Sequence, residues 1–173
     1  LKIPPRIKQV SIFLTRDILS KLSNTQYMTI NLLEAPLLAV ILAYIVRFYQ
    51  NSDGGYIFAK NNNLPAYIFM SVIVSLFIGL SVSAEEIIKD AKMLKREAFL
   101  HLSRGSYLLG KVILLFAFSA VETLSFVLIG NWILGVEGMN TSYWLVLFSA
   151  TCFANMLGLN ISATFNSVVT IYI

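Results

Sequence analysis

Histidine and cysteine occur once each in 173 residues, as His101 and Cys152. One cysteine excludes a disulfide within the chain, and one residue of each kind supports neither a His/Cys zinc site nor a Cys-His nucleophile pair. Cys152 reads as a small packing residue. His101, four residues after Glu97, reads as an interfacial hydrogen-bonding group and not as a base. Charge is equally scarce: 13% of the residues are charged, against about 25% in an ordinary soluble domain. There is no G-x-x-x-x-G-K-[ST] phosphate loop, and Gly54-Gly55 lacks the lysine that would make one. The segment therefore has no means of hydrolysing ATP, and no catalytic, cofactor or metal constellation is expected in it.

Apolar sequence fills the space that charge leaves. Hydrophobic residues make up 57% of the chain, and they fall in four runs of the length that crosses about 30 Å of hydrocarbon as a helix. These predict spans over 28–47, 64–84, 106–135 and 142–165. The runs show no period-two alternation, which sets aside a membrane barrel. The first follows about 27 residues and has no A-x-A-like exit, so it is not a cleavable signal peptide. The fold class is all-α, a polytopic membrane helix bundle.

The cations are unevenly placed. Lys2, Arg6, Lys8, Arg16 and Lys21 precede the first run, and Lys89, Lys92, Lys95, Arg96 and Arg104 lie between the second and third. The other two connectors carry Lys60 against Asp53, and Glu137 alone. The positive-inside bias puts the amino terminus and the 85–105 segment in the cytoplasm. Both basic clusters adjoin spans, so the net charge of +4 points to anionic lipid headgroups and not to nucleic acid.

Two cytoplasmic segments have helical periodicity. In 1–26, Ile7, Val10, Leu14, Ile18 and Leu22 recur at i+3 and i+4 behind Pro4-Pro5, which predicts a helix lying in the membrane interface. In 85–105, Ile87, Ala91, Leu94, Ala98 and Leu102 form one line, Glu85 is placed to pair with Lys89, and the helix is expected to end near Arg104-Gly105. About 20 residues are spent where a short turn would serve. A docking element for a cytoplasmic partner is the favoured reading over a solvated hairpin.

Polar residues inside the spans need a reason. Glu122, near the middle of the third, has to be protonated, paired or facing water. It reads equally as an interhelical hydrogen bond or as part of a transport route. Glu34, two residues before Pro36, is expected to pair at the surface with Arg16 or Lys21. Thr151, Asn155, Gly158 and Ser162 form a polar line in the fourth span, read first as helix packing and alternatively as a substrate-facing surface.

The stretch EEIIKDAKMLKREAFLHLSRGSYLLGKVILL resembles the segment joining the second and third spans of G-subfamily, or White-like, ABC transporters and their bacterial relatives. Glu85 or Glu86, Arg96, Glu97, Gly105 and Tyr107 match that pattern, and GLNISATFNS is similar to the close of the family's fourth span at Gly158, Leu159, Ser162 and Ala163. The order of elements also agrees along the whole chain. The resemblance implies the permease part of an ATP-driven exporter; the apolar, sparsely charged spans suit an amphipathic or lipid-like substrate without identifying it. It implies an ABC ATPase domain, fused or separate, that holds ATP and Mg, and a homodimer or heterodimer of transmembrane domains. It makes the 85–105 segment a coupling helix, with Arg96 and Glu97 as the main charged contacts and Lys95, His101 and Arg104 beside them. It also suggests that 168–173 opens a fifth span and that the chain is part of a longer protein. An ion-coupled carrier using Glu122 and a structural membrane subunit are the alternatives.

Overall fold

The computed structural model describes residues 5–47, 61–97 and 103–172, with side chains for all of these except 91–93, 95–97 and 165–172. They form six helices: α1 (Arg6–Ser23), α2 (Thr25–Val46), α3 (Leu64–Ala84), α4 (Glu86–Glu97), α5 (Arg104–Leu134) and α6 (Asn140–Tyr172). Four of the described helices, α2, α3, α5 and α6, are long and apolar enough to cross a membrane. The chain is an all-α, multi-pass membrane protein.

Local chemistry sets the helix ends. Asn24 separates α1 from α2, and its side chain accepts a hydrogen bond from the Tyr27 amide at 3.1 Å, satisfying one of the free N–H groups of a helix start. Pro65 sits in the first turn of α3, where its missing N–H does no harm. Gly135 ends α5 in the left-handed region at φ 66°, a conformation that glycine adopts without strain. Asn131 then ties the turn into α6 by donating to Asn140 at 2.7 Å.

Packing is most extensive between α3 and α6, with α2 on α5, α5 on α6, α1 on α5 and α4 on α6 completing the bundle. The main core joins Ala35, Ala39, Leu42 and Ala43 of α2 to Phe126, Val127 and Leu134 of α5, and to Tyr67, Ile78 and Leu147. Large apolar side chains on the outside, such as Leu37, Tyr44, Phe69, Phe77 and Trp132, are what a lipid-facing surface requires.

Along the α3–α6 seam the side chains are small. Ser71, Ser75, Gly79 and Ser83 recur every four residues on α3 and meet Leu147, Thr151, Ala154, Gly158 and Ser162 of α6, all of them buried except where glycine leaves nothing to bury. A Cβ on Gly79 would stand 2.7 Å from the Thr151 carbonyl oxygen, so the backbones approach as only small residues permit. The seryl hydroxyls donate one turn back, Ser75 to the Ser71 carbonyl at 2.9 Å and Ser83 to Gly79 at 2.6 Å, while Ser71 also accepts from the Tyr143 hydroxyl of α6 at 2.6 Å.

Two sequence expectations require correction. Arg104 and Gly105 do not end the helix expected over 85–105: they are the first turn of α5, whose N-cap Ser103 accepts from the Ser106 amide at 3.3 Å. No break precedes Val168, because α6 continues to Tyr172 and neither Gly nor Pro occurs after Gly158 to stop it. In α1, Ile7 and Leu22 of the apolar line lie outside, and the residues buried against the bundle are Gln9, Phe13 and Asp17. The polar side of this helix is turned inward, and what it meets explains why.

Candidate functional site

Lys111 occupies the third turn of α5, where its ammonium is 4% exposed and contacts three carboxylates: Asp17 at 2.9 Å, Glu86 at 3.0 Å and Asp90 at 2.8 Å. Asp17 comes from α1, and Glu86 and Asp90 come from α4. One cation in a span therefore binds two helices outside it. Lys21, one turn after Asp17, joins Glu86 from the other side and donates to the Tyr27 hydroxyl at 2.7 Å. Tyr107 donates to Asp90 at 2.8 Å, and Arg16 stands 3.5 Å from Asp17.

The charges balance. Asp17, Glu86 and Asp90 face Lys21, Lys111 and Arg16, three against three. A buried ion pair gains little net stability over an apolar pair, but removing one member leaves an uncompensated charge and costs about 3–5 kcal/mol. The junction is therefore strict about its membership. Spacing within each helix makes it possible, since Asp17 and Lys21, like Glu86 and Asp90, are i and i+4 on one face.

Apolar and backbone contacts surround the ions. Phe13 meets Tyr107 edge to face, with ring centroids 5.8 Å apart, and the Gln9 side-chain oxygen accepts from the Ser103 amide at 2.9 Å. Ile87 of α4 packs with Leu115 of α5 and Leu159 of α6, and Leu94 lies against them. The described members of the α4 apolar line are thus turned toward α5 and α6. At the start of α4, the Ser162 hydroxyl accepts from the amides of Ile87 at 3.0 Å and Ile88 at 3.2 Å. A serine of α6 thus caps the first turn of α4.

The expected site residues are distributed as follows. Arg104 is exposed at the start of α5. Lys95, Arg96 and Glu97 form the last turn of α4 with side chains outside the described set, and His101 lies outside the described residues. Thr151, Asn155 and Ser162 are almost wholly buried in the protein, two of them on the α3–α4 side and Asn155 donating to Ser119 of α5 at 2.7 Å. Glu122 is buried on α5. Glu34 makes neither expected pair, because Lys21 is taken by Glu86 and Arg16 lies by Asp17. The exposed pair expected between Glu85 and Lys89 is formed at 2.7 Å.

Lys111, Asp17, Asp90 and the partnership of Lys21 with Glu86 were not anticipated from the sequence. The signal was a lysine in an otherwise apolar run, GKVILLFAF, which demands counter-ions. Which acids supply them depends on how α1 and α4 fold back onto α5.

The family model for the ABC-2 type transporter matches residues 8–173, nearly the whole chain and every element described above. Searches of curated proteins and of solved structures returned no match. The chain belongs to the ABC-2 type transporter family, and with its four membrane-crossing helices it is a membrane-spanning component of an ABC transporter.

Proposed function

We propose that this permease is the pathway-forming part of an ATP-driven exporter of the G-subfamily type, and that α4 receives the movement of an ABC ATPase domain and passes it to the spans. The amino terminus and α4 are cytoplasmic in this reading, on the charge asymmetry given above. Ile7, Ile12, Leu19 and Leu22 of α1 face outward, which suits a helix lying against lipid. Two transmembrane domains, identical or different, enclose the pathway, and the apolar character of the spans favours an amphipathic or lipid-like substrate. ATP and Mg belong to the ATPase domain.

The observation that carries this reading is Lys111. Displacing α4 cannot leave α5 unmoved, because Glu86 and Asp90 hold a cation rooted in that span. Asp17 brings α1 along through the same ammonium. Such a junction converts a push on a short helix into a tilt of a long one.

Two variants test it in the complete transporter reconstituted in vesicles. Glu97→Lys alters the end of α4 toward the ATPase domain, and Asp90→Asn keeps an oxygen for the Tyr107 hydroxyl while removing the charge that Lys111 holds. Both are expected to leave ATP hydrolysis running while export falls. Normal coupling of hydrolysis to export in both variants would sink the assignment.

A further inference from the structure

Tyr27 stands three residues after Asn24, the corner between α1 and α2, and its hydroxyl reaches two other helices. It accepts from Lys21 Nζ of α1 at 2.7 Å and donates to Glu86 Oε1 of α4 at 3.3 Å. A phenol has one proton to give, and of these two partners only the carboxylate accepts it. Lys21 also pairs directly with the same Oε1, so an α1 cation, an α2 hydroxyl and an α4 carboxylate close a triangle. The Tyr27 ring has the Lys21 ammonium 4.4 Å and the Lys89 ammonium 5.8 Å from its centroid, which adds a cation–π contact from α1 and another from α4.

The corner itself is a single residue. Asn24, at φ −93° and ψ 84°, lies off the helical path between the end of α1 and the start of α2, and its amide is held by the Lys21 carbonyl at 3.1 Å. Residues at the ends of elements absorb the backbone rotation of a hinge. α1 and α2 pack only lightly on each other, and α2 has no extensive packing on α4. The two helices rest on different parts of α5: Phe13 meets Tyr107 near its start, and Ala35, Ala39 and Ala43 share a core with Phe126, Val127 and Leu134. Between these footings the corner is fastened to α4 through side chains.

We propose that Tyr27 is a positioning residue that latches the α1–α2 corner to α4, so that the position of α4 sets the angle between α1 and α2. Glu86 divides its carboxylate for this purpose. Its Oε1 takes Lys21 and Tyr27 of the corner, and its Oε2 takes Lys111 of α5 at 3.0 Å. A displacement of α4 therefore reaches two spans from one side chain, α5 through an ion pair and α2 through a hydroxyl. The latch rests on the reading of α4 as the receiver of an ATPase domain's movement and extends that movement to a second span.

The test is pulsed electron paramagnetic resonance between spin labels on Ile12→Cys of α1 and Tyr44→Cys of α2, in the complete transporter in bilayers with its other cysteines removed, without nucleotide and with a non-hydrolysable ATP analogue. The parent protein is expected to give one narrow distance distribution without nucleotide and a displaced one with it. Tyr27→Phe keeps the ring and its cation–π contacts and removes the hydroxyl alone. Its distribution should be broad and the same in both states, a loss of nucleotide response that a merely structural bond would not produce. Asp90→Asn, which leaves the partners of the corner in place, should stay narrow without nucleotide. Where Tyr27→Phe does not assemble, Glu86→Asp, which keeps the charge and draws the carboxylate back from the corner, is expected to broaden the distribution in the same way. A narrow, displaced distribution in the variant tested, or a parent distribution that the analogue does not move, overturns the latch, as does broadening in Asp90→Asn equal to that of Tyr27→Phe. The export assay of Glu97→Lys and Asp90→Asn is read separately. Coupled export there with a responding corner sinks the docking of α4 and leaves the latch standing, and uncoupled export with an unmoved corner does the reverse.

Discussion

The α3–α6 seam and the α1–α4–α5 junction hold helices together by opposite means. The seam relies on close approach of small residues, and most of its hydroxyls donate within their own helix, with the Tyr143–Ser71 hydrogen bond crossing it. Its attraction is the sum of many weak contacts, so it tolerates small slips and has no single member on which the rest depend. The junction concentrates its attraction in a few buried ions centred on Lys111. Such a contact is directional and strict in stoichiometry. A permease that must move as a unit in one part and transmit displacement in another has use for both.

The comparison breaks most sharply at Lys111. Lys111→Met keeps the length of the side chain and removes the ammonium, leaving Asp17, Glu86 and Asp90 with only Lys21 and Arg16 for compensation. The expected loss is about 3–5 kcal/mol, the usual cost of stranding a buried charge, read as a lowered midpoint in chemical unfolding of the protein in bilayers. A double variant, Lys111→Met with Asp17→Asn, should recover part of the loss, since it removes a stranded charge. Equal stability of Lys111→Met and wild type would mean that the junction is wet and its ions screened.

Next in size is Gly79. Gly79→Ala places a methyl 2.7 Å from the Thr151 carbonyl oxygen, and backbone on both sides prevents a local escape. Overpacking of this kind costs about 1–3 kcal/mol, here by pushing α6 off α3. Crosslinking of introduced cysteine pairs across the seam, in a Cys152-free background, should slow in the variant. An unaltered rate would show a seam looser than its geometry indicates.

Much of this architecture was legible in the sequence, and the illegible part has a physical pattern. The four apolar runs and the i,i+4 pair Glu85–Lys89 were readable because each depends on residues near one another in the chain. The Thr151–Ser162 line was also visible. Its counterpart, Ser71-Ser75-Gly79-Ser83, recurs every four residues and went unread among the apolar residues around it. The inner face of α1 was illegible for a different reason: its apolar line could be read locally, whereas Asp17 and Gln9 are drawn inward by Lys111 and the Ser103 amide. The attraction comes from residues more than 90 positions away, and no local period encodes it. Glu122 stood out as a charge in a span, but its place one turn from the Ser119–Asn155 hydrogen bond is a property of the assembled bundle.

Ser162 joins the two regions, because it ends the α6 side of the seam and caps the first turn of α4. Ser162→Ala removes the acceptor for Ile87 and Ile88 amides. The expected cost is about 1 kcal/mol, as for other lost N-caps, and it should be local. Hydrogen exchange should quicken at the Ile87 and Ile88 amides while the middle of α6 keeps its protection. Faster exchange throughout α6 would instead make Ser162 a member of the seam first and a cap second.

The smallest effect is expected at Glu85, and its value lies in the neighbour. Glu85 and Glu86 are adjacent, and each meets a lysine: Glu85 pairs with Lys89 at 2.7 Å with both side chains more than half exposed, and Glu86 pairs with Lys111 at 3.0 Å with both nearly sealed from solvent. Similar distances in different surroundings separate geometry from burial. An exposed i,i+4 pair contributes about 0.3–0.5 kcal/mol and is screened by salt, so Glu85→Gln should barely move the unfolding midpoint, and its small effect should fade as salt is raised. Glu86→Gln should lower the midpoint several times further and retain most of that loss in high salt, because ions do not reach the Lys111 ammonium. Equal, salt-sensitive losses in the two variants would mean that α4 stands away from α5 in the membrane, and the junction would then lose its claim to transmit movement.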